Sequence, residues 1–138
     1  MRIASATASE APAVIALWKA CDLTRPWNDP QADFDRALAQ PSSTILVLRE
    51  GAALSGSVMV GDDGHRGWVY YLAVAETKRG QGAGRALMTA AENWLRGAGS
   101  PKVQLMVRDT NAGAQAFYEA LDYERQPVTV WGKWLDKS

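Results

Sequence analysis

The sequence predicts an α/β fold in which helices flank a mixed, mostly antiparallel central sheet. Short runs rich in β-branched and aromatic residues, bounded by turn residues, are typical of strands. They alternate with stretches whose apolar residues recur every three or four positions, which are typical of amphipathic helices. The resulting order is β-α-α-β-β-β-α-β-α-β. Because the chain has 138 residues, 47% of them apolar, we expect a single globular domain over residues 1–138.

The first half of the chain predicts an edge strand, two helices and a β-hairpin. The first helix follows a capping box that begins at Thr7, or is capped instead by Ser9, since Pro12 must lie in its first turn or shortly after. The second begins at Asp29-Pro30, with proline suited to the first helical position. Pro41 ends the second helix. The predicted strands are 2–4, 44–48 and 54–60, the last two joined by a turn at 50–52.

The second half predicts a strand over 68–74 and a long helix over 85–96, separated by a glycine-rich turn. The Gly97–Pro101 segment breaks this helix, and alternating residues predict another strand over 102–107. Asn111 is a good N-cap for a helix running to about Leu121. Tyr123 begins an extended segment that we expect to form the last strand.

Composition and charge exclude several classes of protein. Fifteen basic and fifteen acidic residues give a formal net charge of zero, so nothing indicates a nucleic-acid partner. No apolar run reaches the roughly 18 residues of a membrane span, and the N-terminus lacks the apolar core of a secretory signal. The single cysteine, Cys21, excludes an internal disulfide and favours a cytoplasmic location. One histidine and one cysteine argue against a zinc site, so we expect no metal.

The glycine-rich turn between the 68–74 strand and the long helix is a candidate anion cradle. The first amides of a helix have no intrahelical partner, the helix dipole is positive at that end, and glycines allow close approach. Patterns of the P-loop and of dinucleotide-binding folds both fail here at residue level. A tight connection without a ligand is the alternative. The turn comprises Arg79, Gly80, Gln81, Gly82, Ala83 and Gly84.

Two motifs carry a resemblance to a known family. The pattern R-x-x-G-x-G at 79–84 follows a strand, and N-x-x-A-x-x-F-Y-E-x-x-x-Y follows at 111–123. Together they resemble the two conserved blocks of the GNAT superfamily of N-acetyltransferases, in the family's order. The sequence departs from the family pattern at Ala75, where proline is frequent, and at Asp122, where glycine is usual. Residues 21–29 and 63–67 resemble the YpeA-like branch of bacterial GNAT proteins.

The resemblance implies a GNAT fold and an N-acetyltransferase that uses acetyl-CoA. The coenzyme's pyrophosphate would lie on residues 79–84, and its pantetheine arm would pair with the strand edge at Leu72, Ala73 and Val74. A primary amine would attack the thioester directly, and a strand amide near Val74 would stabilise the oxyanion. On the last helix, Asn111 would contact the arm and Tyr118 would act as general acid toward the leaving thiolate.

Several assignments stay open at this point. The general base is His65, Asp63, Glu76 or water. The acceptor is a small-molecule or peptide amine, and its pocket is expected beside the loop at 25–29. Trp131 and Trp134 line the same pocket or form a homodimer face. Cys21 is expected to be a buried, inert thiol. The alternative function is a non-catalytic acyl-CoA-binding or sensor domain on the same fold. The acidic residues suited to a cationic amine are Asp22, Asp29, Asp62 and Asp63.

Overall fold

A computed structural model describes residues 2–136 of the chain. It comprises two compact units, of which the first ends at Met106 and the second begins at Val107. The first unit contains a five-stranded sheet and three helices, and the second contains one helix and the C-terminal segment. The expectation of one domain over the whole chain stays a prediction.

The sheet is mixed and mostly antiparallel, as predicted. Neighbouring strands follow one another in chain order from β1 to β5. Each pair is antiparallel except β4 and β5, which run parallel because α3 crosses over between them. The strands are β1 (Arg2–Ser5), β2 (Ser43–Glu50), β3 (Ala53–Asp62), β4 (Gly67–Val74) and β5 (Val103–Leu105).

The helices begin where the sequence places their caps. The capping box of Thr7 and Glu10 is present and precedes a short 3₁₀ turn that leads into the first helix. The Asp29 carboxylate accepts the amides of Gln31 and Ala32 at 3.0 and 3.2 Å, which starts the second helix. The helices are α1 (Ala11–Ala20), α2 (Pro30–Ala39), α3 (Ala83–Gly97) and α4 (Ala112–Ala120).

One face of the sheet is covered by α1 and α2. Trp18 and Phe34 are fully buried there, with ring centroids 6.4 Å apart, and they pack in one cluster with Ile45 and Val47. The indole N–H of Trp18 donates to the buried Ser57 hydroxyl at 3.2 Å, so its polar atom is satisfied. Burial of each large side chain contributes about 1.5–3 kcal/mol, which fixes this face of the sheet.

The opposite face is covered by α3, whose apolar stripe is buried at Leu87, Met88 and Leu95. Two glycines of the sheet allow this close approach. A Cβ at Gly56 would lie 2.7 Å from the Leu87 side chain, and one at Gly67 would lie 2.6 Å from that of Leu95. The close packing of α3 therefore depends on the missing side chains at these two positions.

A β-bulge interrupts β4. Ser57 pairs with Ala73 and Met59 pairs with Tyr70, so one residue of β3 stands opposite two residues of β4, Tyr71 and Leu72. Pairing between β4 and β5 covers only Gly67–Val69. Beyond Val69, no strand within residues 2–136 pairs with the edge of β4 that faces away from β3. The two strands thus form a fork. β5 is shorter than the predicted 102–107 strand, because its pairing with β4 covers only Val103–Leu105.

The predicted last strand is wrong for the described residues. Beyond α4 the backbone up to Asp136 forms no strand ladder. Val128 and Val130 are 73% exposed and Trp131 is 90% exposed, so the apolar side chains of this pattern are not buried. Alternating apolar residues specify a strand only when a neighbouring strand takes their backbone hydrogen bonds, and none of the described strands does so here.

Candidate functional site

The N-terminus of α3 lies open, unlike those of α2 and α4. Asp29 caps α2 and Asn111 caps α4, but Gly82, the N-cap of α3, leaves its helix without any side-chain cap within the described residues. Gly80 and Gly82 have φ of 78° and 82°, and an added Cβ at either position would meet no heavy atom within 4 Å. The first amides of α3 are therefore accessible to an anion, which suits a phosphate group.

The free edge of β4 leads directly into this turn. The amide of Ala75 donates to the Ser55 carbonyl of β3 at 2.8 Å, so Ala75 faces β3. Successive residues of a strand point their backbone groups in opposite directions, and Val74 therefore faces the unpaired edge. The edge thus offers the backbone of Val74, and the turn adds the first amides of α3. An extended chain of amides that ends in a pyrophosphate, as in coenzyme A, fits this arrangement.

Arg79 folds back onto the edge of β4. Its Nε donates to the Val74 carbonyl at 3.2 Å, and one of its Nη atoms lies 3.6 Å from Cys21 Sγ. The Cys21 thiol donates to the same carbonyl at 3.4 Å, and it is partly buried, which corrects the expectation of a fully buried thiol. Because the Arg79 side chain is exposed, rotation toward a bound phosphate breaks only these surface contacts.

In the second unit, α4 carries Asn111 and Tyr118. The Asn111 side-chain oxygen accepts the Ala114 amide at 3.0 Å, which leaves its two N–H donors for another partner. The Tyr118 ring packs edge-on against Phe117 and Tyr123, with centroids 5.0 and 5.7 Å away. Burial raises the pKa of Tyr118 to about 12. Its hydroxyl is therefore a protonated donor at neutral pH, and a weaker acid than an ordinary tyrosine.

The base candidates are separated by the structure. Asp63 Oδ1 accepts the amides of Arg66 and His65 at 2.7 and 2.8 Å, and Oδ2 accepts the Trp68 indole at 3.0 Å. These hydrogen bonds hold the pKa of Asp63 below its usual range, which makes this carboxylate a weak base. His65 and Asp63 precede β4, whose eight residues span about 25 Å, whereas the cradle follows it. Glu76 is exposed in the turn that leads into the cradle.

The acidic residues expected to bind a cationic amine mostly have structural partners. Asp29 caps α2, Asp63 holds the turn before β4, and Asp62 accepts the Gly64 amide and the Ser100 hydroxyl. In the 25–29 loop, Trp27 is 48% exposed. The neighbouring Arg25 donates to two backbone carbonyls, each at 2.8 Å. Trp27 is thus available to a ligand, while most of the carboxylates serve the backbone.

Sequence reasoning missed one polar pair beside the free edge. The Tyr71 hydroxyl donates to Asp33 Oδ2 at 2.7 Å, and the Tyr71 ring stacks on Trp18 with centroids 4.0 Å apart and an interplanar angle of 10°. Neither residue belongs to a sequence motif. Their proximity results from the bulge in β4 and from the packing of α2, neither of which is readable from spacing alone.

Within residues 2–136, none of the helices is long and apolar enough to cross a membrane. The same stretch contains no group of three or more histidine, cysteine, aspartate or glutamate side chains placed to hold a metal ion.

Comparison with known proteins connects these features to a family. The family model of the acetyltransferase (GNAT) family matches residues 12–123. An acetyltransferase of Yersinia enterocolitica is 47% identical over 122 residues, which cover 88% of this chain and 86% of that protein.

Two solved structures share the fold at low sequence identity. AAC(6')-Iy, in complex with the bisubstrate analogue CoA-S-monomethyl-acetylneamine, superposes with a TM-score of 0.83 at 15% identity and covers 96% of each chain. Glucosamine-6-phosphate N-acetyltransferase from Arabidopsis thaliana gives a TM-score of 0.75 at 17% identity and covers 98% of each chain.

Proposed function

The chain belongs to the acetyltransferase (GNAT) family, and from this we propose that it transfers the acetyl group of acetyl-CoA to a primary amine. The observation that carries the proposal is the uncapped N-terminus of α3 at the end of the free β4 edge. Those two features offer the backbone donors that a pyrophosphate and an amide-rich arm require.

Acetyl-CoA supplies an acetyl group activated as a thioester. In this proposal, the amides and the cation of the 79–84 turn hold the pyrophosphate, and residues 72–74 hold the pantetheine arm. Arg79 exchanges the Val74 carbonyl for a phosphate oxygen when the coenzyme binds. Asn111 donates one of its free side-chain N–H groups to the arm.

Tyr118 is the proposed proton donor to the leaving sulfur. A thiol has a pKa near 8.5, whereas burial raises the pKa of Tyr118 to about 12 in the free protein. A hydroxyl of this kind stabilises a thiolate by donating a hydrogen bond, and complete proton transfer requires its pKa to fall when the substrates are bound. A backbone amide near Val74 is the proposed donor to the carbonyl oxygen.

The amine must lose a proton before or during its attack. Asp63 is hydrogen-bonded within a turn and its pKa is lowered, which makes it a poor proton acceptor. We therefore propose that Glu76, His65 or solvent water accepts the proton of the amine.

We propose a small-molecule amine as the acceptor. Glucosamine-6-phosphate N-acetyltransferase and AAC(6')-Iy, which share the fold, carry small amine substrates or analogues in their names. The exposed Trp27 in the 25–29 loop suits contact with such a molecule.

The test measures binding and turnover separately. Calorimetry with acetyl-CoA reports binding, and release of CoA thiol across a panel of amino acids, polyamines, aminoglycosides, amino sugars and peptides reports transfer. Binding with amine-dependent thiol release supports the proposal. Tight binding without release on any amine would instead favour a non-catalytic acyl-CoA-binding or sensor domain, and no binding would overturn both.

A further inference from the structure

Tyr71 occupies an unusual backbone conformation at the centre of the β4 bulge. Its φ is 54°, in the left-handed region that bulky residues rarely adopt because the Cβ approaches the following carbonyl. Such a conformation persists only when the surrounding structure holds it in place, and it is concentrated at functional positions.

Three elements hold the Tyr71 side chain. Its ring lies flat against Trp18 of α1, at a centroid distance of 4.0 Å. The Trp18 indole is in turn anchored to the buried Ser57 of β3. The Tyr71 hydroxyl donates to Asp33 of α2 at 2.7 Å. The stack fixes the plane of the ring, and the hydrogen bond to Asp33 fixes where the hydroxyl end points.

Asp33 is well placed to hold its end of this contact. It lies in the first turn of α2, where the helix dipole favours a carboxylate, and the N-terminus of that helix is secured by the Asp29 cap. Burial and the neighbouring Asp33 both raise the pKa of Tyr71, so the hydroxyl keeps its proton as donor. The pair thus links α2 to the bulge through a protonated hydroxyl.

The bulge stands where the fork opens. Pairing with β5 ends at Val69, and the free edge begins immediately beyond it. Because the pyrophosphate cradle follows Val74, the thioester end of a bound arm lies toward Tyr71. We propose that Asp33 and Tyr71 are a positioning pair, which holds the β4 edge in the register that orients the thioester carbonyl. This inference rests on the proposed function.

The experiment compares three variants with two matched controls. Tyr71→Phe keeps the ring and its stack but loses the hydroxyl, Asp33→Ala removes the acceptor, and Asp33→Asn keeps an oxygen that can accept. Tyr70→Phe is a control on the same strand, since that residue is 42% exposed. Asp35→Ala is a control on α2, where Asp35 accepts from the Gln31 side chain on the exposed surface.

We expect Tyr71→Phe and Asp33→Ala to lower kcat by about 10- to 100-fold, the effect of a small misplacement of reacting groups. The Kd for acetyl-CoA should change by less than about threefold, because the pyrophosphate cradle at 79–84 lies beyond the segment that the pair holds. Asp33→Asn should restore most of kcat. Both controls should retain the parent kcat.

Amide hydrogen exchange of the free protein gives a readout that needs no substrate. Exchange at residues 70–74 should accelerate in Tyr71→Phe and Asp33→Ala, and should stay at the parent rate in Asp33→Asn and both controls. Parent exchange rates and kcat in Tyr71→Phe would overturn the positioning pair. The proposal would also be overturned if kcat and exchange in Asp33→Asn changed as much as in Asp33→Ala. That result would assign the effect to the negative charge of Asp33 and not to its hydrogen bond with Tyr71. If the parent protein transfers acetyl to no amine, the proposed function is refuted. The exchange rates would still test whether Asp33 and Tyr71 hold the β4 edge, because they need no substrate.

Discussion

Burial of Tyr118 determines how its hydroxyl behaves across pH. Its pKa of about 12 keeps the group protonated well above neutral pH. Tyr118→Phe keeps the ring contacts with Phe117 and Tyr123, so folding should change little. If the hydroxyl is the proton donor, kcat should fall by about 10²–10⁴-fold, with a much smaller change in acetyl-CoA affinity.

The parent protein should also show no loss of kcat/KM for acetyl-CoA from ionisation of Tyr118 between pH 8 and 10, because kcat/KM reports the pKa values of the free enzyme. Steady-state kinetics at saturating acceptor measures both effects, with Tyr70→Phe as the control. A Phe variant within about threefold of the parent kcat, with chemistry rate-limiting, would remove Tyr118 from the mechanism.

Gly82 allows the role of the cradle to be tested by one substitution. Its φ of 82° strains any side chain, but no neighbouring atom would clash with one. Gly51 is the matched control, because it has φ of 62° and equal space in the turn between β2 and β3. Gly82→Val and Gly51→Val should each cost about 1–2 kcal/mol of stability.

Only Gly82→Val should weaken acetyl-CoA binding, because its side chain enters the space that the pyrophosphate needs. Calorimetric titration of both folded variants measures this. Equal coenzyme affinity in the two would contradict the assignment of the cradle.

At the scale of single residues, the sequence predicts caps more reliably than ligand contacts. The capping roles of Thr7 and Asn111 follow from local spacing and are confirmed, and α2 begins at Asp29-Pro30 as predicted. The carboxylates suggested for amine recognition were harder to assign, because a short acidic side chain can equally serve the backbone of its own turn, as Asp63 does. Which role prevails depends on turn geometry, which residue type alone does not specify.

At the scale of elements, α3 is held against the sheet through glycine contacts. Gly56→Ala would place a Cβ 2.7 Å from the Leu87 side chain and 3.2 Å from the Ala73 carbonyl. Either α3 or the strand must then move, which should cost about 1–3 kcal/mol. Urea unfolding at neutral pH measures the loss.

Gly97→Ala provides the opposite control for this prediction. It lies in the last turn of α3, and a Cβ there would meet no heavy atom within 4 Å. It should stabilise the protein by about 0.5–1 kcal/mol through helix propensity. If Gly56→Ala proves as harmless as Gly97→Ala, the close approach of α3 does not limit stability.

The 25–29 loop is the element assigned to the acceptor. Trp27 is 48% exposed, so its removal should change stability by less than about 1 kcal/mol. Trp27→Ala should raise the KM for the acceptor several-fold while leaving the Kd for acetyl-CoA unchanged. Kinetics with the best amine of the panel and calorimetry with the coenzyme separate the two. Lower coenzyme affinity together with a destabilised fold would mean that Trp27 only holds the 25–29 loop in place and does not contact the acceptor.

Four helices and five strands were predictable, because each has a periodic apolar pattern between turn signals. The bulge in β4 was not, since nothing local marks Tyr71 for a left-handed conformation. The last predicted strand failed among the described residues for a related reason. Strand pairing is a property of two segments, and the pattern of one segment does not reveal whether a partner is present.

At the scale of the whole molecule, three tyrosines make stability depend on alkaline pH. Burial raises the pKa of Tyr70, Tyr71 and Tyr118 above the value of about 10 expected in the unfolded chain. The folded protein therefore binds these protons more tightly than the unfolded chain does. Their contribution is fully present below pH 10 and is lost as pH rises toward the folded-state values.

Urea unfolding between pH 8 and 11 should show this decline. Tyr71→Phe should begin less stable and decline less steeply, because it has lost one of the three groups. A parallel decline in parent and variant would mean that other groups control alkaline unfolding.

The parallel pairing of β4 and β5 has a kinetic consequence. Strands β2, β3 and β4 follow one another through tight turns, so their contacts are local and close quickly during folding. β5 can pair with β4 only after the segment that contains all of α3 has crossed the sheet. Closing a loop of this length is slow. The fork is therefore expected to form last. In a refolding experiment, the capacity to bind coenzyme should lag behind the appearance of the hairpins.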